Sequence, residues 1–137
     1  RTQLINFFQL QGLGRLADLP GYGYARVPPE MKARWAHLMG DYFERRRSLV
    51  GMILIVDARR GLTDDDRRML DYAEAQDLAL HILLSKADKL SRSEGSRAVA
   101  ASVRELGDRA GVQLFSGLKR TGVDEARNVV RRWLGTP

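Results

Sequence analysis

The sequence predicts an α/β fold, a mostly parallel sheet sandwiched between two helix layers. Three observations carry this. The runs "LVGMILIVD" and "LALHILLS" are apolar almost throughout rather than alternating, as strands covered on both faces are. Between them lie stretches with the helical period of apolar residues. Strand and helix then alternate to the end of the chain, and parallel neighbours need such crossovers.

The elements follow in order. "TQLINFFQL" is β-rich, "QGLG" turns, and "RLADLP" is a second short strand ending at Asp18, so the two make a hairpin that adds an antiparallel edge. The loop "PGYGYARVPPE" leads to Pro28-Pro29 and Glu30, a favourable helix start. Met31, Trp35, Leu38, Met39, Tyr42 and Phe43 form one apolar stripe, and "ERRR" places cations at the negative end of that helix. After the strand ending at Asp57, Thr63 caps a helix whose first turn holds Asp64, Asp65 and Asp66, where the dipole favours carboxylates. The strand ending at Ser85 is followed by "KADKLSRSEGS", a loop and mobile cap region, and then the helix "RAVAASVRELGDRA" with Val99, Val103 and Leu106 inward. "GVQLFS" is a short strand, "GLKRTG" a loop, and "VDEARNVVRRWLG" a last helix with Val123, Ala126, Val130, Trp133 and Leu134 inward.

At 137 residues this is one domain with enough chain for a real core. No cysteine is present, which removes disulfides and thiolate metal sites and mildly favours a reducing compartment. The longest apolar run is far too short to span a bilayer. A net charge of +6 suits an anionic partner such as RNA and equally a solvated basic surface. His81 lies in a buried strand and reads as structural; His37 falls on a helix surface.

Ligands of such sheets bind outside the carboxyl ends of the strands, and "DLPGYG", "DARRG", "SKADK" and "SGLK" all follow strands directly. Asp18 can hold a hydrated Mg²⁺ against phosphate oxygens, with the Gly21 amide reaching a terminal phosphate; read alone, Asp-x-Pro-Gly is also a common turn. Lys86 can lay its stem over a purine while Asp88 accepts from two adjacent N–H donors, an edge guanine has and adenine lacks; the same residues also suit a surface turn with a helix cap. The amides of Gly117 or Leu118, after Ser116, can donate to a base carbonyl, or form an ordinary turn.

Taken together, Asp-x-Pro-Gly, Lys-x-Asp and Ser-x-x-Lys on successive strand ends resemble the third, fourth and fifth motifs of TRAFAC-class GTPases. "RTQLINFF", "DLPGYGYA", "DARRGLTDDD", "LLSKADKL" and "FSGLKRTGVDE" resemble the EngB (YihA/YsxC) family over essentially the whole chain. The resemblance implies a three-layer P-loop GTPase-like fold, GTP/GDP and Mg²⁺ as ligands, and a role in assembling the bacterial large ribosomal subunit, on its rRNA or proteins. It also implies a need in cell division and septation, a cytoplasmic location and a monomer. By the same resemblance Thr2 ligates Mg²⁺ with Asp18, Gly21 senses the γ-phosphate, Ser85 ties neighbouring loops together, Lys86 and Asp88 read guanine, and Ser116, Gly117 and Leu118 close over the base.

Two departures bear on activity. Tyr22 stands where Ras-like proteins carry a water-orienting glutamine, which implies slow intrinsic hydrolysis. The phosphate-cradling Gly-x-x-x-x-Gly-Lys-Ser/Thr occurs nowhere in these 137 residues. In the family that loop and its strand precede "RTQLINFF", the strand lying between those that end at Asp18 and Asp57. The expectation is therefore one G domain over 1–137 with its first strand missing and weak nucleotide binding on its own. GTP hydrolysis is expected of the parent protein. The competing reading is a non-catalytic RNA- or protein-binding α/β module.

Overall fold

In the computed structural model, which describes residues 6–19, 30, 33, 34, 37, 40, 41 and 48–135, the apolar runs pair in parallel. The strands are β1 (Asn6–Leu10), β2 (Gly14–Asp18), β3 (Gly51–Asp57), β4 (Ala79–Ser85) and β5 (Gly111–Leu114). The helices are α1 (Asp64–Ala75), α2 (Arg92–Leu106) and α3 (Val123–Trp133). Glu30, Ala33, Arg34, His37, Gly40 and Asp41 are also helical, with His37 exposed as expected; the apolar stripe assigned to that helix lies outside the described residues.

Hydrogen bonding divides the strands into two sheets. β3, β4 and β5 form a parallel sheet in that order, and β1 and β2 form a separate antiparallel hairpin. The predicted parts are present, and the hairpin is not hydrogen-bonded to the parallel sheet, in line with the expected gap between the strands that end at Asp18 and Asp57. Its link is side-chain packing: Ala17 and Leu19 lie against the core built from β3, β4, α1 and α2.

That core follows strand periodicity. Met52, Leu54 and Val56 of β3 point one way and pack with Leu80, Ile82 and Leu84 of β4, Met69, Leu70 and Ala73 of α1, and Leu106 of α2. β4 is buried at every position from Leu80 to Leu84, as a strand covered on both faces must be. β3 departs from the expectation: Ile55, on the opposite face, is 67% exposed, because no described residue covers that end of the strand.

Three helix expectations need correction. α2 begins at Arg92, so "RSEGS" is not a mobile cap region but the first turns of the helix. Ser91 accepts from the Glu94 amide while the Glu94 carboxylate accepts from the Ser91 amide, a reciprocal cap. Its inward stripe is Gly95, Ala98, Val99, Ser102 and Leu106, and Val103 is exposed. Gly95 belongs to that stripe because the Leu114 side chain of β5 lies where a larger residue would sit. Thr63 caps α1 as predicted, with Asp66 completing the reciprocal pair. Asp64 pairs with Arg67 and Asp65 with Arg68, so the three aspartates are accounted for by the helix end. In α3 the predicted residues Val123, Ala126, Val130, Trp133 and Leu134 are half-buried, while the most buried position is Val129, which the predicted stripe omitted.

Gly51 carries the ring of Trp133 directly over its α-carbon: an added Cβ would lie 2.7 Å from ring atom Cδ2. Gly51→Ala is therefore expected to lower stability by about 1–3 kcal/mol in urea unfolding, and adding Trp133→Leu should recover part of the loss. Equal losses with and without the Trp133 change would show that the ring is not the obstacle.

Candidate functional site

Asp57 is paired with Ser85 in the β3–β4 register, so the two strands end level. β5 extends the alignment: the Phe115 amide donates to the Leu84 carbonyl at 2.8 Å, and the Phe115 carbonyl accepts from the Ala87 amide at 3.1 Å. Three loops thus leave one rim of the sheet, the place where open α/β sheets bind ligands.

The turn after β4 is tight. Lys86 sits in the left-handed region at φ +58°, which swings the chain into a single 3₁₀ turn, Ala87–Lys89. A side chain there costs energy, so the surrounding bonds must hold it. Ser116, fully buried, supplies one: its Oγ donates to Asp88 Oδ1 at 2.8 Å and accepts from the Lys119 amide at 3.0 Å. Ser116 and Thr121 also exchange both backbone bonds, each 3.0 Å, which closes the β5–α3 loop on itself. The Ser116 hydroxyl, the Asp88 backbone amide and the cations Lys89 and Lys119 hold the Asp88 carboxyl below its ordinary range, against the opposing effect of desolvation.

Ser85 Oγ donates to the Val56 carbonyl at 3.2 Å, so this hydroxyl ties β4 to the end of β3. Gly117 and Leu118 ride the tip of the closed loop, Leu118 being 77% exposed. Neither of their amides donates to another described group. Lys86, Asp88, Ser116, Gly117 and Leu118 are thereby brought to one rim. Asp18 is exposed at the end of β2, on the other sheet, and no described hydrogen bond or ion pair joins it to that group. Thr2, Gly21 and Tyr22 lie outside the described residues.

Asp57 was not singled out from the sequence, yet it organises the cations at this rim. Its Oδ1 accepts from the Arg59 amide at 2.9 Å and Arg59 Nε at 3.1 Å, its Oδ2 from Arg59 Nη2 at 2.8 Å, and Lys86 Nζ lies 3.8 Å away. The Arg59 side chain is the main reason the Asp57 carboxyl is lowered to about 2. Asp57, through its hydrogen bonds, and to a lesser degree Asp88 stabilise the Arg59 charge. The available signal was Asp-x-Arg at a strand end, where a turn can fold the two residues into a fork.

The resulting surface offers a carboxylate acceptor, two adjacent amide donors and a lysine stem. That pattern suits a planar ring with neighbouring N–H donors and a carbonyl on one edge, because a mismatched partner would leave a polar group unpaired.

No family model matches the chain. A "Probable GTP-binding protein EngB" of Stenotrophomonas maltophilia is 48% identical over 139 residues, covering 98% of this chain and 70% of that protein. The chain belongs to the EngB family of GTP-binding proteins. The EngB relative of Thiobacillus denitrificans is 52% identical over 136 residues, and the chain spans 66% of its length. The crystal structure of a probable GTP-binding protein engB superposes with a TM-score of 0.78 at 14% identity, over 98% of this chain and 85% of that one, which shows the shared fold.

Two predictions follow from the rim's electrostatics and bonding. The folded pKa of Asp57, near 2, lies below the ordinary 3.8 of the unfolded chain. Its contribution is therefore fully present above about pH 4 and lost as pH falls through about 2. The stability gap between the wild type and Asp57→Asn should accordingly shrink over that window; a constant gap would rule out the carboxylate as its source. Ser116→Ala leaves the Lys119 amide without its acceptor and Asp88 without its donor. It is expected to cost about 1–3 kcal/mol in urea unfolding and to raise the Asp88 pKa in carboxyl NMR titration.

Proposed function

We propose that this chain reads the guanine base for a GTPase switch that acts in bacterial large-subunit ribosome assembly, in the cytoplasm, and so affects cell division and septation. The observation that carries the base-reading part is the buried Ser116 hydroxyl holding Asp88 at 2.8 Å beside two loop amides. Asp88 would accept from guanine N1 and N2, Gly117 and Leu118 would donate to O6, and the Lys86 stem would lie over the ring. Membership of a family of GTP-binding proteins supports the same reading.

Ribosomal RNA or protein as partner, action as a monomer, and the Mg²⁺ and γ-phosphate roles of Thr2, Asp18 and Gly21 are inferred from the family resemblance. Mg²⁺ characteristically keeps several waters and takes one or two carboxylates plus phosphate oxygens, and the exposed carboxylate of Asp18 at a strand end fits that donor type. When bound, the ion would offset phosphate charge. None of the described helices is long and apolar enough to cross a membrane.

The test is Asp88→Asn in the intact protein. Replacing the acceptor oxygen by an amide donor should weaken GDP binding about 10- to 100-fold, the worth of a hydrogen bond to a charged group, while binding of xanthosine diphosphate improves. An unchanged guanine-over-xanthine preference in calorimetry would sink the assignment.

A further inference from the structure

We infer that Gln113 is a positioning residue for base recognition, a buried tether that sets the height of the loop over the nucleobase; this rests on the guanine-reading proposal. Gln113 is almost fully buried in β5. Its Nε2 donates to the Leu114 carbonyl at 3.1 Å and to the Gly122 carbonyl at 2.8 Å, the residues flanking the loop that carries Ser116, Gly117 and Leu118. One amide group therefore spans both stems of that loop.

The third contact reaches the neighbouring strand. His81 Nε2 lies 2.8 Å from Gln113 Oε1. With both amide protons committed to carbonyls, Oε1 can only accept, so His81 must donate from Nε2. His81 belongs to β4, the strand that ends in Ser85 and leads to Lys86 and Asp88. Gln113 thus ties both stems of the β5–α3 loop to the body of β4, while the Ser116–Asp88 bond joins that loop to the turn after β4.

The local glycines fit this arrangement. Gly111 leaves room for His81, since a Cβ there would strike Nδ1. Gly122, at φ +74°, would drive a Cβ into the Leu114 carbonyl and to 2.5 Å from Gln113 Nε2. These three bonds use both amide protons and the oxygen of Gln113, as a buried amide requires, and a methionine of similar length would remove all three at once.

The experiment compares GDP with 6-thio-GDP, which keeps N1–H and N2 but replaces the strong acceptor O6 by a weak one. In the intact protein Gln113→Met should lower GDP affinity about five- to tenfold, the scale of a hydrogen bond lost through misalignment. It should lower 6-thio-GDP affinity much less, so the preference for oxygen over sulfur narrows. Equal losses for both nucleotides, or none, would overturn the tether. A second measurement needs no variant: both side-chain amide protons of Gln113 should exchange slowly with solvent in NMR, and free exchange would also overturn it. A wild-type protein that does not prefer GDP to ADP would instead sink the guanine reading, and the tether with it.

Discussion

β4 is the strand on which the other parts depend. Its residues from Leu80 to Leu84 are buried without interruption, and among the described strands it alone has a parallel neighbour on each side. A slip of one residue would turn Ile82 and Leu84 away from the core shared with α1 and α2 and push His81 and Leu83 into it. Burial on both faces therefore fixes its register, and the ladder passes that register on. Asp57 is held level with Ser85 on one side, and the Phe115 amide is held on the Leu84 carbonyl on the other. The rim is level because the core permits one alignment.

Polar groups at the rim are then held by one another rather than by solvent. Ser116 is fully buried, yet its hydroxyl both donates and accepts, and Gln113 uses both amide protons and its oxygen. Among the described residues no buried side-chain nitrogen or oxygen lacks a partner. In a low-dielectric setting such a network resists distortion, because breaking one bond leaves a buried group unpaired. The left-handed Lys86 turn is the strained element these bonds hold in place.

What could be read from the sequence is what local chemistry encodes. Continuous apolar runs gave β3 and β4, Thr63 before three aspartates gave the start of α1, and the strand-end positions of Lys86, Asp88 and Ser116 gave their meeting at one rim. The misses have physical causes. "SRSEGSR" reads as polar loop because its capping box is built from the same serines and glutamate that would suit a turn, and Gly95 hides its helical role in a contact with Leu114. Ser102 faces inward where Val103 was expected because helix phase is set by what packs beneath, not by hydropathy alone. Asp57 and Gln113 act through partners that only the fold supplies: a guanidinium wrapped back from Arg59, and a carbonyl at Gly122. The hairpin was recognised, and its separation from the parallel sheet accords with the expected gap between the strands that end at Asp18 and Asp57.

That separation divides the site into two mechanical classes. Ser85, Lys86, Asp88 and the Ser116 loop are fixed by backbone ladders and buried side-chain bonds, so their mutual geometry is set before anything binds. Asp18 sits on a sheet joined to the rest through Ala17 and Leu19 packing on the core, without a ladder between β2 and β3. Apolar packing is non-directional, whereas a ladder admits only discrete registers. Among the described residues, the placement of Asp18 relative to Asp88 is thus set by apolar packing and not by a strand ladder. A ligand touching both would supply a directional link that the described backbone does not.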